Sequence, residues 1–177
     1  MRRQYDLRWL LPAATALAAL PASATTYFTV EQVQQKLFPG QRLTAVATTL
    51  GKPDIERIQK ASGVRVRDAN VRAWQASGGG WLYIDQVFGK HEFITYAVAV
   101  DATGAVSGVE IMDYRETYGD QVRNERWRAQ FHGKRAGAPL KLGVDIVNLS
   151  GATLSCAHVT DGVRRILATH AALAAHR

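Results

Sequence analysis

Between Asp145 and Leu167 the chain reads DIVNLSGATLSCAHVTDGVRRIL. Three hydroxyl side chains, Ser150, Thr153 and Ser155, surround the small pair Gly151-Ala152 just ahead of a stretch in which Val159, Val163, Ile166 and Leu167 recur at helical spacing. A helix start presents unpaired N–H groups and the positive end of the helix dipole. Residues with almost no side chain let a bulky group come close to that backbone. The chemistry such a run can do is phosphate binding. The plain alternative for the same residues is a cap, with Ser150 or Thr153 supplying the oxygen.

Other chemistry is poorly represented. His91, His132, His158, His170 and His176 show no paired metal-ligand spacing and no cysteine cluster supports them, so no metal site is expected. Cys156 is the only cysteine, which excludes an internal disulfide. It reads as a small residue packed beneath the helix. Gly104-Ala105-Val106-Ser107-Gly108 places its serine one position late for a nucleophile elbow. Gly78-Gly79-Gly80 lacks the lysine and hydroxyl of a P-loop and reads as a turn. Asp85, Glu110, Asp113 and Glu116 read as acids at a sheet edge or cleft.

Two blocks in order carry a family resemblance. Ser150-Gly151-Ala152-Thr153-Leu154-Ser155 resembles the S/T-G-A-T-x-S/T signature of the FMN-binding domain family. Upstream, Glu116-Thr117-Tyr118-Gly119, then Trp127, Gln130, Phe131, Gly133 and Lys134, resembles the family's E-T-x-G block and its Q-F-x-G-K run. The family includes flavin-carrying components of the sodium-translocating NADH:quinone reductase and of the Rnf electron-transport complex. The resemblance implies FMN as cofactor, joined through its phosphate to the oxygen of Thr153 by a separate flavin transferase. It also implies a binding site made of Ser150, Gly151, Ala152, Thr153, Leu154 and Ser155 together with Glu116, Thr117, Tyr118 and Gly119. Glu116 and Thr117 are the candidates to hydrogen-bond the ring or ribityl chain, and Tyr118 or Leu154 to lie against the ring. Many members carry an aspartate six residues before the modified threonine. Here that position is Val147, and Asp145 stands two residues earlier. Tyr118 stands where the family usually has proline.

The elements that must position these residues are legible in outline. Thr29 can cap a helix from Val30 to Leu37, closed by Pro39-Gly40, and Asp54 to Ala61 suggests a second, ended at Ser62-Gly63. Trp81 to Val87, Glu92 to Val100 and Val106 to Met112 read as strands of an antiparallel meander, separated by turns at Gly89-Lys90 and Asp101 to Gly104. Glu92 to Val100 is the clearest, with Ile94, Tyr96, Val98 and Val100 on one face. Arg115, Glu116 and Thr117 follow the last strand directly and are expected to project into the cleft it borders. Trp127 to Gly133 suggests a short helix with Trp127 and Phe131 inward. The fold class expected is α+β, a single domain with an antiparallel sheet flanked by helices.

The first residues read as an address. Arg2, Arg3 and Arg8 precede the short apolar run Trp9 to Leu20, and Ala22-Ser23-Ala24 fits a cleavage site. Residues 1–24 are therefore expected to be a signal peptide cleaved after Ala24, with an uncleaved N-terminal anchor as the lesser alternative, and 25–177 the FMN-binding domain. The remaining 150 residues or so suffice for one core, and a composition of 47% hydrophobic and 21% charged residues is globular rather than disordered. The formal charge of +7 is scattered, so anionic lipid or an acidic protein suits it better than nucleic acid. A merely solvated surface is the plainer reading of that charge; peripheral membrane association is compatible with it, and no nucleic-acid partner is expected. With the resemblance, these features imply an exported electron carrier working between a membrane-bound redox protein and an outside acceptor. The alternatives are an exported binding module without cofactor, or a docking subunit of a membrane complex.

Overall fold

The computed structural model describes residues 25–175, so the expected signal segment and His176 lie outside the described residues. Six strands form one antiparallel sheet in the order β1-β6-β5-β4-β3-β2: β1 Thr25–Thr26, β2 Leu43–Thr49, β3 Asn70–Ala76, β4 Trp81–Phe88, β5 Phe93–Val100 and β6 Val106–Tyr114. The helices are α1 Val30–Leu37, α2 Lys52–Ser62, α3 Glu125–Arg128 and α4 Thr153–Ala174. The architecture is the expected α+β single domain. The meander β4–β5–β6 falls where alternation placed it, each strand within two residues of the expected ends.

Alternation along these strands sorts the two faces. Tyr83, Tyr96, Val98, Ile111 and Tyr114 turn to one side and are buried against Val159, Val163, Ile166 and Leu167 of α4. Each buried aliphatic on that helix face stabilises by roughly 1.5–3 kcal/mol. Leu82, Ile84, Ala97, Ala99 and Met112 turn to the other side and meet Val33 and Phe38, with Leu37 half-buried beside them. Gly162 lets α4 lie close on the sheet, because a Cβ there would run into the Tyr96 ring. α2 packs on the outer flank of α4, through Ile58, Ala168 and Ala172.

Several expectations need correction. β2 carries no sequence signal of its own: LTAVATT is mostly small or hydroxylated and largely exposed. Its membership comes from full-length pairing with β3. Trp127 and Phe131 are buried and edge-to-face, with centroids 5.2 Å apart, but α3 stops at Arg128 and a 3-10 turn carries Ala129–Phe131. Asp85 does line a cleft, beside Arg165, and its carboxylate is engaged there. Its Oδ2 accepts from Arg165 Nη2 at 2.6 Å and from the Tyr96 hydroxyl at 3.2 Å. Glu110 is likewise committed, 3.0 Å from the buried Arg128 guanidinium, and so pins α3 to β6. Among the described residues, no helix is long and apolar enough to cross a membrane.

Candidate functional site

Three segments distant in sequence meet at one end of the sheet. They are the exit of β6, the turn between β4 and β5, and the start of α4. Together they enclose a cavity of about 430 Å³ lined by Lys90 and His91, by Glu116 to Gly119, and by Gly151 to Ser155. Every expected site residue except Ser150 is on this wall. The Ser150 side chain is exposed and off the cavity.

The start of α4 is bare. Its N-cap is Ala152, and no side chain caps the helix, contrary to the oxygen expected from Ser150 or Thr153. Ala152 N donates to Leu149 O, and the first helical bond runs from Cys156 N to Ala152 O at 2.8 Å. Among the described residues, the amides of Thr153, Leu154 and Ser155 meet no acceptor. Gly151, at φ +82°, turns the chain into this end and leaves open space where a side chain would stand. Thr153 is exposed as the first helical residue, and Asn148 Nδ2 donates to its Oγ1 at 2.9 Å. Leu154 and Tyr118, 52% and 83% exposed, offer apolar surface at the rim.

Ser155 is the opposite of Thr153. It is buried, and its hydroxyl lies 2.9 Å from that of Tyr114. The Tyr114 O–H donates to Tyr118 O, so the Ser155 hydroxyl donates to Tyr114. Burial holds the phenol above its ordinary range, which keeps it a neutral donor. Gly119 makes this contact possible. It stands at φ +95°, and a Cβ would fall 2.6 Å from Ser155 Oγ and 2.7 Å from the Tyr114 oxygen. The glycine of the upstream block thus seats the β6 exit directly on the first turn of α4.

Glu116 reaches the cavity wall, but its Oε1 accepts from the amides of His91 at 2.6 Å and Glu92 at 3.0 Å. Partial burial raises its pKa, while the amides of Glu92, His91 and Lys90 lower it by more, so the carboxyl titrates below its usual value. Its role in the geometry is to staple the β4–β5 turn and so bring Lys90 and His91 to the cavity. Those two cationic or ionisable residues read only as part of a turn in the sequence, because nothing local connects them to Glu116. Arg115, expected in the cleft, instead pairs with Asp113, Nε to Oδ2 at 2.9 Å.

The run from α3 onward fixes the approach to α4. Trp127 Nε1 donates to Val147 O at 2.8 Å, and Val147 N donates to Gln130 Oε1 at 2.7 Å. Lys134 Nζ lies 2.8 Å from Asp145 Oδ2, and the same carboxylate accepts from the amides of Leu140 and Lys141. Burial opposes ionisation of Asp145, but Lys134 and those amides outweigh it and hold its pKa below the usual range. Cys156 points inward and is fully buried, and desolvation pushes its thiol pKa up.

An exposed hydroxyl, three bare helix amides and a glycine opening onto a cavity with apolar rim residues form a donor set that fits a phosphate carrying an aromatic group. Residues 89–168 match the model of the FMN-binding domain family, and the match contains every residue lining the cavity. No curated protein matches the chain.

Proposed function

From the premise that this chain belongs to the FMN-binding domain family through residues 89–168, and is a flavin-binding protein with FMN as its cofactor, we propose that it is an exported electron carrier. Its FMN is joined through the phosphate to Thr153 by a flavin transferase. It exchanges electrons with a membrane-bound redox protein on one side and an acceptor outside the cytoplasm on the other. FMN supplies the redox chemistry when bound. The chain's own residues hold, orient and shield it.

One observation carries the attachment: of the two hydroxyls in the first turn of α4, Thr153 is exposed on the cavity while Ser155 is buried and engaged by Tyr114. The amides of Thr153, Leu154 and Ser155 are suited to take the phosphate charge, helped by the dipole of a 22-residue helix. Lys90 adds a positive charge on the facing wall. Tyr118 and Leu154 are suited to cover the ring, and the open rim leaves it within reach of a partner. Covalent attachment keeps the cofactor with a protein that works where free flavin is scarce. Export is supported by the basic, apolar and small-residue succession of residues 1–24, and the positive formal charge suits peripheral contact with anionic lipid.

The test is co-production with a flavin transferase in an exporting host. The mature protein should begin at Thr25 and stay yellow after denaturation. Its mass should rise by one FMN less water, with the modification on the peptide holding Thr153. Flavin lost on denaturation, or found on another residue, would end the attachment reading. A chain retained inside the cell with Met1 intact would end the export reading.

A further inference from the structure

We propose that Asn148 is the residue that positions Thr153 for attachment of FMN, a role this chain gives to a carboxamide. The inference rests on the attachment reading above. It starts from the side-chain contact to the Thr153 hydroxyl, Asn148 Nδ2 to Oγ1 at 2.9 Å. An asparagine just before a helix ordinarily turns its oxygen to the first amides as a cap. Here the nitrogen end is directed at the hydroxyl, and the amides are left bare. Asn148 can reach forward five residues because Ala152 N to Leu149 O closes a turn and Gly151 reverses the chain.

Its neighbour is less suited to the task. Val147 has both backbone groups held, N by Gln130 and O by Trp127, and a 65% exposed side chain with no hydrogen-bonding atom. The clamp on Val147 therefore sets where Asn148 begins. A hydroxyl oxygen has two lone pairs and one proton. With one lone pair engaged by Asn148, the other and the proton are free for the reaction. Attachment forms one bond, from Oγ1 to the phosphorus of FMN. It breaks the anhydride bond of the donor, a flavin dinucleotide, which leaves as a nucleoside monophosphate. The hydroxyl proton passes to a base of the transferase, and no electrons are exchanged. The Asn148 N–H remains a donor suited to the phosphoester once it is made.

The experiment uses the unmodified protein as substrate of a purified flavin transferase with the flavin dinucleotide. The rate of covalent flavin gain is followed by fluorescence of the denatured chain. Asn148→Ala should lower the maximal rate about tenfold, the effect of one hydrogen bond. Half-saturating protein concentration and melting temperature should stay at parental values. Asn148→Asp, the same shape with an acceptor facing an incoming anion, should fall at least as far. Parental maximal rates in both variants would overturn the proposal. So would a loss that appears only as weaker saturation or a lower melting temperature, since that marks a structural role. If the parent gains no flavin at Thr153, the attachment reading falls and this one with it. A parent that is modified beside variants modified at the same rate removes Asn148 alone.

Discussion

The helices α1 and α4 begin in opposite ways. The eight residues of α1 start with a complete reciprocal cap: Thr29 Oγ1 accepts from Gln32 N at 3.2 Å, and Gln32 Oε1 accepts from Thr29 N at 2.8 Å. The 22 residues of α4 start with Ala152 and no cap, although Ser150, Thr153 and Asn148 all lie within reach in sequence. A short helix with few buried contacts depends on its ends. A long one, buried along Val159, Val163, Ile166 and Leu167, is held by tertiary packing and tolerates an open terminus. Leaving out a cap forgoes about 0.5–2 kcal/mol. The unpaired donors remain fixed in space by the sheet below, which is the condition for binding an anion without reorganisation.

The strongest way to break this contrast is at Thr153. Thr153→Ala should remove covalent flavin entirely after co-production with a transferase, and Thr153→Ser should restore most of it, both read from the colour of denatured protein. Colour equal to the parent in the alanine variant would show that the open terminus is not the point of attachment. Next in size is Gly119→Ala. Positive φ costs about 1–2 kcal/mol for a residue with a Cβ, and the collision with Ser155 and Tyr114 adds overpacking of about 1–3 kcal/mol. Urea unfolding should register a loss of about 3 kcal/mol, together with weaker flavin retention. A variant as stable as the parent would mean that the β6 exit does not bear on α4.

How much of this was legible follows from which interactions are local. β5 was legible because Ile94, Tyr96, Val98 and Val100 alternate, and α1 because Thr29 offers a cap at its start and Pro39-Gly40 a stop at its end. The residues that line the cavity from the β6 exit and the α4 start were legible by motif. What joins them was not. The Ser155–Tyr114 contact spans 41 residues and the Glu116 staple about 25. The clamp on Val147 comes from 17 and 20 residues away. No pattern within one element encodes such distances, which is why Lys90, His91 and Asn148 carry no signal of their own in the sequence. The open start of α4 escapes the sequence for a related reason. Residue types permit Ser150 to cap, but Gly151 at positive φ intervenes, Ala152 takes the N-cap position, and no side chain caps the amides.

The Glu116 staple gives the contrast a pH dependence. Its folded-state pKa lies below the ordinary 4.5, so its contribution is fully present above that value and is lost as pH falls through the lower, folded-state one. Glu116→Gln cannot titrate. The parent should therefore melt higher than Glu116→Gln near neutrality, and the two should converge in acid. A gap that is constant with pH would show that the carboxylate charge is not what holds the β4–β5 turn.

The smallest effects belong to a matched pair of hydroxyl deletions, one at each helix start. Thr29→Ala removes the acceptor for Gln32 N and frees the reciprocal bond, so denaturant unfolding should show a loss of about 1 kcal/mol with flavin content unchanged. Ser150→Ala removes a hydroxyl that is exposed, off the cavity and without a bond to α4, so it should change stability by less than about 0.5 kcal/mol. Flavin content should also stay at the parental level, because the cavity wall begins at Gly151. Equal losses in the two variants would mean that Ser150 does cap α4 in solution, and the amides assigned to phosphate would then be partly taken. Unequal losses, with the deficit at Thr29 alone, are what an uncapped start of α4 requires.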